Sequence, residues 1–294
     1  MRARLFSTFR ALSHENPLGL PGRRLPPIAP KPGQGLPPSG SIPAMGRSIP
    51  VARSIPGVQK IIVVSSAKGG VGKSTVSVNL ALALSSAGKR VGLLDADIFG
   101  PSVPRLMNLS GEPRLSESGK LVPMVNYGLK SMSMGYLVDT EKPVVWRGLM
   151  VMKALQQLMW DVEWGVWMSW FLICRPEPEI RSAVVVSTPQ DIALIDAVKG
   201  VNMFKKVDVP ILGMVQNMSV FTCPNCSHTT HIFGSEGVAR ECKKHSIELL
   251  GDVPLDATIC SDADVGKPTV VARDGPLSDA YHKIAGAVIK KLWG

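Results

Sequence analysis

Aromatic side chains make up only 5% of the 294 residues, and the five cysteines all fall in the second half, at 174, 223, 226, 242 and 260. So few and so scattered, they exclude a disulfide scaffold of the kind that small secreted domains depend on. No apolar run approaches the ~18 residues that a membrane-spanning helix needs. Acid is nearly missing from one region: residues 1–60 hold nine Lys or Arg and the single acid Glu15. The rest of the chain is therefore close to neutral, although the whole carries a formal charge of +10. The basicity belongs to a tail, and the electrostatic case for a nucleic-acid partner falls away with it. What is present, 45% apolar residues, suffices for one substantial core.

The opening MRARLFSTFRALS carries Arg2, Arg4 and Arg10, hydroxyl residues, and Leu and Phe at helical intervals. It lacks the continuous apolar segment of a secretory signal. A cationic amphipathic start of this kind reads as a mitochondrial presequence over residues 1–20, the alternative being a basic terminus without structure. Residues 17–56 then hold eleven of the 24 prolines. Such a stretch cannot build a core, so residues 21–57 are expected to be an extended linker and 58–294 the folded domain.

That domain begins with a β-branched run, residues 61–65, which predicts a buried parallel strand. The segment Ala67-Lys68-Gly69-Gly70-Val71-Gly72-Lys73-Ser74-Thr75 follows and runs into a helix through Asn79, Leu80, Leu82 and Leu84 that Gly88 stops. Strand, glycine loop and helix are the context in which a phosphate loop works. Its glycines let backbone N–H groups converge on a phosphate, and the helix N-terminus adds partial positive charge. Lys73 is placed to reach the terminal phosphates of ATP and the Ser74 hydroxyl to ligate Mg²⁺. The usual first glycine of such a loop is Ala67 here, and Lys68 is an additional lysine.

A second strand, residues 90–94, ends in Asp95-Ala96-Asp97. Acids at the carboxyl end of a parallel strand lie beside the phosphate crevice. One of them can hold Mg²⁺ through water while the next orients an attacking water.

Far downstream stands Cys223-Pro224-Asn225-Cys226, after the apolar run 211–215 and an expected turn at Gln216–Ser219. Three readings of the pair stay open: half of an iron–sulfur site, a zinc site with His228 and His231, or a pair that ligates nothing. The spacer between Cys226 and His228 is far shorter than a zinc finger's. Two thiolates are half of a four-cysteine cluster site, and a two-fold dimer supplies the other half. Cys174, Cys242 and Cys260 stand alone and read as ordinary residues.

The loop form K-G-G-x-G-K-[ST] resembles the deviant phosphate loop of the family containing MinD, ParA and nitrogenase iron protein. The segment from Asp95 to Pro104, DADIFGPSVP, together with CPxC, is similar to the Mrp-type branch, the iron–sulfur cluster carriers. Residues 58–165 and 183–256 follow that branch's pattern, most closely its mitochondrial member, which serves respiratory complex I assembly. The resemblance implies an α/β fold, a mostly parallel sheet flanked by helices, in a homodimer that meets face to face around ATP. It implies that Lys68 reaches the partner's nucleotide, that Asp97 activates water and that Asp95 supports the metal. It further implies that Asn217 bonds the adenine edge, that residues 251–256 form a loop over the base, and that Cys223 and Cys226 share a 4Fe-4S cluster between two subunits. A mitochondrial-matrix location and apo-protein recipients follow from the same likeness.

Residues 166–181 depart from the pattern. The family has there a strand ending in aspartate and a PPGTGD-type turn, the second nucleotide switch; this chain has neither. The apolar run 166–174 can still supply a central strand, with Cys174 near the place of the carboxylate. Trp160, Trp164, Trp167 and Trp170 are spaced to stripe one helix face. Without the second switch, nucleotide binding is expected to survive while hydrolysis is left open, so a binding scaffold without turnover is the first alternative. A MinD-like membrane role for the helix 279–293 is the second, but its pattern of Tyr281, Ile284, Ala285, Val288 and Leu292 favours packing against the sheet.

Overall fold

The alternation of short aliphatic runs with longer periodic segments builds strands and helices in turn. The computed structural model describes residues 55–97, 100–137, 148–165, 168–173 and 182–294. In chain order these form β1 (Val58–Ser65), α1 (Lys73–Ser86), β2 (Val91–Asp95), α2 (Val103–Leu106), β3 (Met124–Asn126), β4 (Leu129–Ser133), α3 (Gly148–Trp160), β5 (Met168–Ile173) and β6 (Ser182–Ser187). There follow α4 (Asp191–Lys206), β7 (Ile211–Thr222), β8 (Thr229–Thr230), α5 (Gly237–His245), β9 (Leu249–Leu255), α6 (Ala257–Asp264), α7 (Thr269–Ala272) and α8 (Pro276–Trp293). The presequence-like segment, the linker to residue 54, Trp167 and Cys174 lie outside the described residues.

The strands join in the order β3-β4-β2-β5-β1-β6-β7-β8, with β9 also paired to β7. Among the described strands only the β3–β4 and β7–β8 pairs are antiparallel. Ile62, Val63 and Val64 are fully buried, as a strand covered on both faces must be. One face of the sheet packs against α1 and α8 through Leu80, Leu84, Tyr281, Ile284 and Val288. The other packs against α3 and α4 through Leu155, Leu158, Leu194 and Phe204. The fold is the expected one: an α/β, mostly parallel sheet flanked by helices.

The departing segment takes its place in the sheet. β5 pairs in parallel with both β1 and β2, so six residues of the run 166–174 do supply a central strand. Three expectations are corrected. The tryptophans do not stripe a helix: Trp160 ends α3, Trp164 lies buried beyond it, and Trp170 belongs to β5. The helix gives way there because Asp161 and Glu163 exchange backbone hydrogen bonds with Leu121. Residues 216–219 are not a turn but part of β7, which continues because β9 pairs alongside it. Residues 251–255 are likewise strand β9 rather than a loop, and Asp256 caps α6 by accepting the Thr258 N–H at 2.7 Å. The apolar face of α8 is spent on the core, as favoured, which removes the surface a lipid-bound helix would need.

Candidate functional site

Parallel strands point their carboxyl ends to one edge of the sheet, and the chemistry-bearing residues gather there. The loop 67–72 leaves β1 and enters α1 through Gly72, whose backbone is left-handed (φ +81°) with no side chain capping the helix. The first N–H groups of α1 therefore stay available to an anion. Gly70 is left-handed as well (φ +80°), and a Cβ on Gly69 or Gly70 would meet nothing within 4 Å, so open space lies before the loop. Gly72 is constrained differently: a Cβ there would fall 2.2 Å from Asn217 Nδ2. Asn217 itself, buried near the middle of β7, donates to the Val71 carbonyl at 2.8 Å and braces the loop.

A cleft of about 670 Å³ opens on this loop. It brings together Lys68, Gly69, Gly70, Gly72, Lys73, Ser74, Thr75, Asp97 and Asn217. Val71, buried, lies behind it. β7, β9 and α6 contribute the apolar Met218, Pro254, Leu255 and Ile259, with Asp256, Cys260 and Asp264 beside them. Met218 and Ile259 carried no signal in the sequence, and Pro254 and Leu255 only through the likeness of residues 251–256 to a loop over the base; the four meet only where β7, β9 and α6 converge. The fit to a nucleoside triphosphate is one of donors: uncapped N–H groups at the start of α1, the Lys73 ammonium, a hydroxyl at Ser74 that can take Mg²⁺, and apolar side chains for a base.

Lys73 Nζ stands 3.4 Å from Asp97 Oδ2, the lysine mostly buried and the acid half-exposed. Asp95 does something other than face the cleft. Fully buried, it accepts hydrogen bonds from the Asp97 N–H (3.0 Å), the Val103 N–H (3.2 Å) and the Ser133 hydroxyl (3.2 Å). It ties the ends of β2 and β4 to the start of α2, and fixes the backbone of Asp97. Burial is the chief reason its carboxyl is pushed up to about 6, against the pull of the Asp97 and Val103 amides and of Lys73.

The cysteine pair sits at the far end of β7. The Cys223 N–H donates to the His228 carbonyl and the Ser227 N–H to the Cys223 carbonyl, closing a tight turn into β8. Cys223 is partly exposed and Cys226 exposed. The N–H groups of Asn225 and Cys226, with the Cys226 thiol, point at the Cys223 sulfur and hold its pKa below the ordinary value. That favours the thiolate, the form that ligates metal. Among the described residues no group of three or more His, Cys, Asp and Glu is arranged to hold a metal ion. His231 is engaged elsewhere, its Nδ1 lying 3.1 Å from the Ser219 carbonyl. Cys242 is buried in the core and Cys260 exposed on α6.

The ParA family model described as NUBPL iron-transfer P-loop NTPase matches residues 57–289. The iron-sulfur cluster transfer protein NUBPL of Mus musculus is 49% identical over 243 residues, 78% of this chain and 76% of that protein. The Arabidopsis thaliana iron-sulfur protein required for NADH dehydrogenase, mitochondrial, is 46% identical over 242 residues, 78% of this chain and 77% of that one. Among solved structures, the nucleotide-binding protein of Archaeoglobus fulgidus in complex with ADP superposes with a TM-score of 0.64 at 32% identity, covering 76% of this chain and 91% of its own. The Pyrococcus furiosus cell-division ATPase MinD shares the fold at 20% identity, with a TM-score of 0.57 over 79% of this chain and 99% of its own. With its phosphate loop, its strand-end acids and its thiol pair on one sheet edge, the chain belongs to the NUBPL iron-transfer P-loop NTPase family.

Proposed function

We propose that this chain is a mitochondrial carrier that takes up a 4Fe-4S cluster and delivers it to apo-proteins, respiratory complex I subunits foremost, under the influence of ATP and Mg²⁺. The observation that carries the reading is the Cys223–Cys226 turn: two accessible sulfurs, one of them biased toward thiolate, and no third ligand grouped with them among the described residues. Two sulfurs complete half of a four-thiolate set, and a second copy of the chain, related by a two-fold axis, completes it. The names of the mouse and plant relatives agree with the cargo and the compartment. At the other site Lys73 and the α1 amides hold the phosphates and the Ser74 hydroxyl takes Mg²⁺. Lys68 reaches the nucleotide of the second copy, and Asp97, set by Asp95, orients water toward the terminal phosphate. Asn217 presents its amide to the base while bracing the loop.

The test is anaerobic reconstitution of the full chain with iron and sulfide, read by native mass spectrometry beside Cys223→Ser/Cys226→Ser. A dimer holding one four-iron cluster in the wild type alone supports the reading. A monomer that holds zinc, or no metal, overturns it. A binding scaffold without turnover is the second reading, favoured by the missing aspartate and glycine turn in 166–181. Phosphate release no faster than that of Lys73→Ala would select it.

A further inference from the structure

β7 touches both ends of the chemistry described above. At Asn217 it bonds the phosphate loop, and six residues later it delivers Cys223. Between the two it does not run straight. Met218 is left-handed (φ +57°), a conformation that costs any residue with a Cβ. The register against β9 also slips between Asn217 and Phe221, so the strand bulges there. The bulge is tied on both sides. The Ser219 hydroxyl donates to the Val253 carbonyl of β9 at 3.2 Å, one residue before Pro254 and the apolar wall of the cleft. The Ser219 carbonyl faces His231 Nδ1 at 3.1 Å. A carbonyl only accepts, so His231 carries its hydrogen on Nδ1 and donates. His231 stands directly beyond β8, the strand that closes the cysteine turn through the pairs Phe221–Thr230 and Thr222–Thr229.

We propose that His231 is a positioning residue that bolts the cysteine turn to the β7 bulge, so that nucleotide held against Asn217 and Met218 alters the accessibility of Cys223 and Cys226. The histidine suggested by the sequence as a zinc ligand is thereby given a mechanical task. A shift of Met218 or Asn217 on nucleotide binding displaces Ser219, whose two hydrogen bonds lead to the cleft wall and to the thiol turn. The link rests on the reading of the phosphate loop as a nucleotide site, and not on the presence of a cluster.

The test follows alkylation of the full-length, reduced, metal-free chain by iodoacetamide, resolved cysteine by cysteine by peptide mass spectrometry. Rates are compared with and without Mg²⁺-ADP or a non-hydrolysable ATP analogue, nucleotide binding being verified by calorimetry. In the wild type, nucleotide changes the alkylation rate of Cys223 and Cys226 by about fivefold or more, the lower end of ordinary site-to-site coupling. His231→Leu binds nucleotide with unchanged affinity but loses the difference. His231→Asn, whose side-chain amide reaches as far as Nδ1 and still donates, restores it; a role in folding alone would not give that rescue. Bound nucleotide without any change in alkylation, or a His231→Leu chain that keeps the change, overturns the link and leaves the nucleotide site standing. A chain that binds no nucleotide overturns the nucleotide site and the link together.

Discussion

Replacing Asp95 with Asn isolates the buried carboxyl on which the strand-end loop hangs. The group is removed from water, accepts three hydrogen bonds, and has its pKa raised from an ordinary 3.8 to about 6. Between these values the folded chain keeps a proton that the unfolded chain has released. Stability therefore falls as pH rises through this window, and the loss is complete above about pH 6. Two pH units correspond to about 3 kcal/mol. For a domain of this size each kcal/mol moves Tm by about 2–4 °C, so Asp95 should contribute a drop of about 6–12 °C between pH 4 and pH 7. Asn at this position keeps one carbonyl for the Asp97 or Val103 amide and can donate to Ser133, but carries no charge. Scanning calorimetry of both chains from pH 4 to pH 8 should show the Tm of Asp95→Asn gaining on the wild type across the window, then running parallel above it. A constant difference between the two curves, or one that grows in the opposite sense, would refute the burial argument.

Gly72→Ala forces a side chain into a left-handed position against Asn217, costing about 1–2 kcal/mol in backbone strain and about 1 kcal/mol for the lost Asn217–Val71 bond. Calorimetry should find its Tm lowered and its ADP affinity down by about tenfold or more. Lys73→Ala breaks an ion pair between a mostly buried lysine and a half-exposed acid, so the nucleotide-free chain should melt within about 1 kcal/mol of wild type. The stabilisation by saturating ADP, about 3 kcal/mol at a hundredfold excess over Kd, should vanish in thermal-shift titrations. Tyr281→Phe removes a buried hydroxyl that finds no partner among the described residues, so its Tm should equal or exceed the wild type's. A clear loss would mean that the hydroxyl is bonded, for instance through a buried water.

The phosphate loop was readable because its residues adjoin one another in sequence, and their spacing already states their geometry. The same holds for β1, for the helix after Gly72 and for the thiol pair. Asp95 shows what adjacency leaves out. As one of two strand-end acids it read as a metal-side group, yet its carboxylate turns inward to the Val103 amide and Ser133, eight and 38 residues away. Nothing in the sequence marks Ser133 as its partner. Residues 216–219 read as a turn because polar residues follow the apolar run, and 251–256 as a loop because the family resemblance implied one. The structure keeps 216–219 and 251–255 in strands, since β7 and β9 satisfy each other's backbone groups, and leaves Asp256 to cap α6. The tryptophan spacing was compatible with a helix, and was overridden by strand pairing of Trp170 and by the backbone bonds of Leu121. Local pattern placed the nucleotide loop; only tertiary pairing could place its cleft wall and its link to the cysteines.

Delivery of the cargo is the claim on which the account stands. The measurement is the recovery of activity by an apo 4Fe-4S enzyme incubated anaerobically with the cluster-loaded chain, in the presence of a membrane-free iron chelator that captures released iron. The account predicts recovery at a rate the chelator does not change, and none from Cys223→Ser/Cys226→Ser. Recovery that the chelator abolishes, or that free iron and sulfide match, would contradict it.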